Sequence, residues 1–399
     1  MNIIVKIESY DHQGRGISHY NNKVMFIPNA LLNEELEVKI IEEKKNYLIG
    51  NITKIITPSP LRITPKCPYY DKCGGCNFLH INHQEELNIK KDILINIFNK
   101  YAKLTINPQI INSPKEFNYR NKIELKIDNY NWGYYNEKTH NIVEIDNCLL
   151  AKESINKIIS SKELFKIKHG DIIIRSNYND EILIKINTKD SYKIDIDTLT
   201  KNNKIVGIIV NNKIIYGEDN YIEIIDKYLY KVNINSFFQI NIDILKEVFK
   251  IISKEKYEHI VDLYCGVGTL GIPMQKDKLY GIEIVPEAIK DAITNSKMNK
   301  QNNYYLLGDS TNLNKIKDEI DCIIVDPPRS GLNNETLSSL LNYKPQNLIY
   351  MSCNPLTLAR DINNLKEYYN LKEIYLLDMF PRTKHVECVS VLHRKSLEK

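Results

Sequence analysis

No run of eighteen or more apolar residues occurs in the chain, so a membrane-spanning helix is not expected. A strong charge of either sign is also missing. The 54 Lys and Arg stand against 50 Asp and Glu, a formal net charge of +4. Any phosphate-binding surface must therefore be local. There is no Gly-x-x-x-x-Gly-Lys-[Ser/Thr] loop, which removes the usual cradle for a polyphosphate. Internal repeats are absent, and the abundance of Ile, Asn and Lys reads as compositional bias. The opening Met1-Asn2-Ile3-Ile4-Val5-Lys6-Ile7-Glu8 is too short and too charged for a signal peptide, so a cytoplasmic protein is expected. Its eight cysteines should then be free, catalytic or metal-bound, not paired in disulfides.

What is present suffices for two or three buried cores: 399 residues, 43% of them hydrophobic. Residues 1–57 read as short strands (3–8, 23–27, 35–42, 47–56) broken by Gly14-Arg15-Gly16 and Pro28-Asn29, the pattern of a small OB-like β-barrel. Thr57-Pro58-Ser59-Pro60 makes a stiff linker. Residues 58–236 hold a cysteine group, a helical pattern over 84–103 and a β-rich stretch. In that helix Leu87, Leu94, Ile97 and Phe98 form an apolar stripe, with Lys90 and Lys91 read as its solvent side, and it can pack on the last domain. Over 237–399 seven strand-like runs (260–264, 279–283, 304–307, 321–325, 347–351, 374–378, 387–392) alternate with helices. That alternation predicts a doubly wound α/β sheet with ligands at its C-terminal strand ends.

The first of these strands ends in Asp262-Leu263-Tyr264-Cys265-Gly266-Val267-Gly268-Thr269. The glycines permit a tight turn and close approach to a ligand. A lone Gly-x-Gly is a weak signal, but Glu283 ends the next strand, where an acid grips ribose hydroxyls, and Asp309 follows the third. A nucleoside without polyphosphate fits, and S-adenosylmethionine is the usual one. Asp326-Pro327-Pro328-Arg329-Ser330-Gly331 ends the fourth strand, and its double proline stiffens the loop and aims Asp326 into the cleft. Arg329, where amine methyltransferases carry an aromatic, argues against amine methylation.

Ser352-Cys353-Asn354-Pro355 ends the next strand, and Glu387 opens the last one. A thiol nucleophile with a separate base is what C5 alkylation of a pyrimidine requires. Thiolate addition to C6 makes C5 an enolate carbon, and a base must later remove the C5 proton. Cys265, Cys322 and Cys388 read as buried small hydrophobes, and His385 as either structural or assisting. Cys67, Cys73, Cys76 and the distant Cys148 make a four-thiolate set that suits zinc or a [4Fe–4S] cluster equally. Tyr119-Arg120-Asn121-Lys122, Trp132-Gly133-Tyr134-Tyr135 and Arg15 mix aromatic and basic character as RNA-binding surfaces do.

Taken together, Asp326-Pro327-Pro328-Arg329-Ser330-Gly331-Leu332, Ser352-Cys353-Asn354-Pro355 and Phe380-Pro381-Arg382-Thr383-Lys384-His385-Val386-Glu387 closely resemble the RNA uracil-C5 methyltransferases, in particular the iron–sulfur class acting on 23S rRNA. The resemblance runs over essentially the whole chain. It implies a TRAM-like barrel (1–57), a central RNA-binding domain with the cysteine cluster (58–236) and a Rossmann-like class I methyltransferase domain (237–399). It makes Cys353 the nucleophile and Glu387 the base. Through Phe237-Phe238-Gln239 it adds Gln239 to Tyr264, Gly266, Gly268, Glu283, Asp309 and Asp326 at the cofactor. It tips the four cysteines toward a [4Fe–4S] cluster. A monomer that flips a uridine of rRNA into its cleft is the implied working form. The tRNA T-loop enzymes are the near alternative, and a non-catalytic RNA-binding assembly factor the distant one.

Overall fold

In a computed structural model, which describes residues 2–136, 139 and 141–396, three β-sheet units share one continuous body. The N-terminal unit is a curled sheet of six strands. The four expected runs appear, joined by Ser9–Tyr10 and Gly16–Tyr20. Its first segment pairs with Glu35–Glu43 through Asn2–Lys6 and with Gly16–Tyr20 through Ser9–Tyr10, so the sheet bends back on its own N-terminus. The unit is docked, not tethered. Buried Glu34 receives Arg62 at 2.6 Å, and Leu31 shares a core with the C-terminal sheet.

Among the described residues, the central sheet has seven strands in the order 142–144, 131–135, 122–128, 169–176, 182–187, 205–210, 213–217, with a single parallel pair between 182–187 and 205–210. Trp132, Phe165 and a row of Ile side chains fill its core.

The C-terminal sheet has eight strands where seven were expected: 304–307, 275–283, 256–263, 322–325, 347–352, 387–394, 369–377 and, at the edge, 109–111. Strand order reverses between Lys256–Leu263 and Cys322–Val325, the switch point at which such sheets bind ligands. Only Glu387–Arg394 runs against its neighbours within this sheet.

The six-stranded sheet ends at Thr57, the limit drawn from sequence, whereas packing crosses the limit at 236/237, in part through the helix expected over 84–103. Helix His83–Ile97, capped by the Asn82 side chain, continues through the wider turn Phe98–Ala102 until Lys103 turns left-handed at φ +57°. Its Ile93, Leu94, Ile97 and Phe98 enter the core of the C-terminal sheet. The stretch leading from it supplies the edge strand Gln109–Ile111. The hairpin Asn220–Ile225 and Tyr228–Asn233 packs on helix Ile242–Ile252. A three-residue strand carries too short a pattern to be read in advance. Lys90 also departs from expectation: it is 2% exposed, on the packed side, because buried Glu86 meets it at 2.7 Å.

Among the described residues no helix is long and apolar enough to cross a membrane. Because Leu94 is fully buried against the C-terminal sheet, Leu94→Ala is expected to lower unfolding free energy by about 2–5 kcal/mol. Loss of that stability should appear in the unfolding transition of the C-terminal unit, followed by denaturant titration.

Candidate active site

The strand Asn347–Ser352 is buried along its whole length, and its partner Glu387–Arg394 runs antiparallel with Ser352 opposite Cys388. Cys353 follows Ser352 and Glu387 precedes Cys388, so both lie at the same end of this strand pair, near enough for Glu387 to act on the charge of the thiol. Cys353 is half-buried; Glu387 is 3% exposed. Asn354 then caps helix Pro355–Leu365 by accepting the Leu356 amide at 3.1 Å, with proline in the first turn. The cysteine is thus set at a sharp exit from strand to helix.

The Asp326–Leu332 loop is lashed to that helix. Asn354 Nδ2 donates to the Arg329 carbonyl at 2.9 Å, Arg360 Nη2 to the Ser330 and Leu332 carbonyls at 3.0 and 3.1 Å, and the Leu332 amide to Asp361 Oδ2 at 2.9 Å. Gly331 sits at φ +75°, where a Cβ would meet Arg360 and Asp361 at 2.6 Å. Exposed Arg329 lies within 3.5 Å of His385 Nδ1.

Two acids and a thiol therefore lie near enough to act on one another's charge. Burial raises the Glu387 carboxyl well above its ordinary range, and nearby Asp326 raises it further while Arg329 opposes. Burial brings Asp326 up to about 7. Burial, then Glu387 and Asp326, push the Cys353 thiol up to about 11. Burial and neighbouring cations lower His385 to about 4, so its ring is neutral near pH 7.

Across the switch point, Tyr264 turns left-handed at φ +65° and its hydroxyl meets Thr336 Oγ1 at 2.8 Å. Gly266 and Gly268 follow at φ +53° and +83°, and a Cβ on Gly266 would meet open space. Glu283 braces this turn by accepting the Gly266 amide at 3.1 Å, while its other oxygen takes the Ile284 and Val285 amides. Asp309 is exposed and caps the short turn Ser310–Lys315 through the Thr311 amide and hydroxyl, which hold its carboxyl below the usual range. Gln239 is buried in a loop whose carbonyls at 239 and 240 receive Asn121 Nδ2 and its amide, each at 3.1 Å.

Features missed in the sequence are the apolar Ile284 and Val285, 70% and 46% exposed just past the strand that ends at Glu283. Their only signal was an apolar pair between an acid and the proline that opens a helix.

Several expected RNA contacts lie inside the protein. Trp132 is fully buried, Asn121 holds the Gln239 loop, and Tyr119 donates to the Pro381 carbonyl at 3.0 Å. Arg15 is clasped by Asp11 at 2.6 Å and lies over Phe26. Tyr135 remains 48% exposed. Cys265, Cys322 and Cys388 are buried as expected.

Cys67, Cys73, Cys76 and Cys148 line one cavity with Arg120 and Tyr134. Among the described residues no three His, Cys, Asp or Glu are gathered to hold a single metal ion. Burial and mutual repulsion raise the Cys73 and Cys76 thiols, and Arg120 opposes this.

Residues 82–395 match the family model of the tRNA (uracil-5-)-methyltransferases, and 2–53 match the TRAM domain. The chain belongs to the tRNA (uracil-5-)-methyltransferase family. An uncharacterized RNA methyltransferase of Aquifex aeolicus is 36% identical, covering 98% of both chains. One from Staphylococcus epidermidis is 30% identical, covering 98% of this chain and 97% of its own. Among solved structures, a Pyrococcus abyssi tRNA (uracil-54, C5)-methyltransferase in complex with S-adenosyl-L-homocysteine superposes with a TM-score of 0.80 at 26% identity, covering 98% of this chain and 99% of that one. The chain is thus an RNA uracil-5 methyltransferase carrying an N-terminal TRAM domain.

The high thiol pKa of this methyltransferase has a direct consequence. Alkylation of Cys353 by iodoacetamide, read on its peptide by mass spectrometry, is expected to rise roughly tenfold per pH unit from 7 to 9. An ordinary thiol would level off near pH 9, and such a plateau would contradict the electrostatics described.

Proposed function

We propose that the enzyme methylates C5 of a uridine through a covalent adduct between Cys353 and C6. The observation supporting this reading is that Cys353 and Glu387 lie at the same end of an antiparallel strand pair, with Glu387 and Asp326 both near the thiol. Cys353 adds as thiolate to C6, and C5 gains enolate character. S-adenosylmethionine supplies the methyl electrophile. Glu387, once ionised, removes the C5 proton, and the electrons return to expel Cys353 as thiolate. Its raised carboxyl suits it to that transfer, since a base of higher pKa takes a carbon-bound proton more readily. Asp326 and Arg329 flank the base to be methylated, and entry into so narrow a cleft requires the uridine to leave its stack.

The cofactor residues are Gln239, Tyr264, Gly266, Gly268, Glu283, Asp309 and Asp326. The open side of Gly266 leaves room for a ligand against the backbone, and Ile284, Val285 and Leu307 offer apolar faces to a flat base. Glu283 would exchange part of its amide bonding for ribose hydroxyls. The S-adenosyl-L-homocysteine in the P. abyssi enzyme supports this choice of ligand.

Cys67, Cys73, Cys76 and Cys148 hold a [4Fe–4S] cluster in this reading. The four thiols line one cavity, and the resemblance of the cysteine pattern is what favours a cluster over zinc. Arg120 in the cavity wall would offset the negative charge of the ligated cluster.

The substrate proposed is 23S rRNA, on the resemblance of the motifs and cysteine pattern. A tRNA is the second reading, favoured by the P. abyssi enzyme: it matches over 99% of its own length, so the N-terminal unit does not separate the two. Methyl transfer from labelled S-adenosylmethionine to unmodified 23S rRNA and tRNA, run in parallel, decides between them. Label as 5-methyluridine in rRNA is expected; label in tRNA alone would reassign the substrate, and label in neither would count against both.

Two variants test the chemistry. Cys353→Ala should abolish the trapped adduct with 5-fluorouridine RNA. Glu387→Gln should still methylate C5 once but accumulate an SDS-stable RNA–protein adduct, with turnover reduced by about 10²–10⁴-fold. Wild-type turnover by Glu387→Gln would remove it from the role of base.

A further inference from the structure

The segment Asp378–Val386 joins strand Tyr369–Leu377 to Glu387 and makes a wall of the site that approaches the Asp326–Leu332 loop through His385, 3.5 Å from Arg329. It is held almost entirely by residues from the first third of the chain. Buried Arg382, at φ +67°, donates its amide to Glu86 Oε1 at 2.7 Å and its guanidinium to Glu86 Oε2 and the Ile81 carbonyl. Lys90 Nζ reaches the Phe380 carbonyl at 3.2 Å, and Tyr119 the Pro381 carbonyl. His83, Ser113 and Asn241 hold Asp378 and Met379. A further tie comes from Asn77, the residue directly after Cys76. Its amide donates to the Arg382 carbonyl at 3.0 Å, and its Oδ1 accepts the Lys384 amide at 3.1 Å. Its own carbonyl accepts the Tyr70 hydroxyl at 3.0 Å. Phe78 adds a second amide to the Arg382 carbonyl.

We propose that Asn77 is a positioning residue that ties the cysteine segment Cys67–Cys76 to the wall Phe380–His385, so that occupancy of the cysteine site sets the order of the active-site wall. This rests on the covalent-adduct reading and on the four cysteines holding a metal centre. The physical route is short. Cys73 and Cys76 sit four and one residues before Asn77, on a loop with little secondary structure of its own. Ligation would remove the freedom of that loop. The backbone and Oδ1 of Asn77 then pass the constraint to Arg382 and Lys384, one to three residues before His385. Through His385 the wall meets Arg329, which lies near enough to act on the charge of Cys353. The metal centre needs no part in the methyl transfer to influence it; it acts on the shape of the cleft that receives the uracil. Coupling of this kind demands that one element respond to both sites, and the wall is that element.

Hydrogen exchange and adduct capture test this together. In metal-loaded protein, Asn77→Ala is expected to speed amide exchange across 380–386 at least tenfold. It should slow covalent capture of saturating 5-fluorouridine RNA at least tenfold, with RNA and S-adenosylmethionine affinities within about twofold of wild type. Removing the metal from wild type with oxidant and chelator should loosen 380–386 likewise, and should add nothing in Asn77→Ala. Loosening confined to 67–77 after metal removal would overturn the proposal. If the stripped protein unfolds, Asn77→Asp in loaded protein takes its place: the carboxylate keeps an acceptor for the Lys384 amide and should restore both exchange and capture. Equal loosening in Asn77→Asp and Asn77→Ala would likewise overturn it. A wild type that captures no RNA would refute the uracil chemistry instead, and the exchange experiments would still judge the coupling.

Discussion

The antiparallel pairing of the last strand with Asn347–Ser352 is the contact on which the site depends. A parallel strand in that place would carry its first residue at the far end of the sheet. Reversal brings Glu387 to the same edge as Cys353, one residue beyond the last pairing of Ser352 with Cys388 on each strand. A slip by one residue would send every side chain of the strand to the opposite face. The buried run Cys388, Val389 and Leu392 resists such a slip, because those side chains belong to the cores on the two faces of the sheet.

Around this pairing, buried charge is arranged in two different ways. In the cleft, Asp326 and Glu387 lie near each other and a thiol, with only exposed Arg329 to oppose them, and all three groups are driven toward their protonated forms. Behind the wall, Glu86 is met by Lys90 and Arg382, both nearly inaccessible to water. A buried pair like this adds little net stability compared with apolar packing, but removing one partner is costly. Its evident consequence here is geometric, since the same groups bind the backbone of Phe380 and Arg382.

Much of the candidate site was legible because its turns are written locally. Double proline, Ser352-Cys353-Asn354-Pro355 and Gly266-Val267-Gly268 each specify a strand exit within a few residues, and the period of the sheet strands located those exits. Contacts between distant segments were not legible. Glu86 and Lys90 at i and i+4 look like a solvated helix pair, and only the arrival of Arg382 from 296 residues away makes them a core feature. Trp132 and Asn121 misled for a related reason: aromatic and polar residues alternating along a strand are the pattern both of an RNA platform and of a half-buried sheet. Edge strand Gln109–Ile111 escaped because three residues hold no period.

The half-buried setting of Cys353 also bears on the life of the idle enzyme. Oxidants and stray electrophiles attack thiolates, not thiols. With two acidic neighbours and few cations, the resting sulfur keeps its proton. In the proposed mechanism, a group that serves as nucleophile during a turnover is thereby chemically quiet between turnovers.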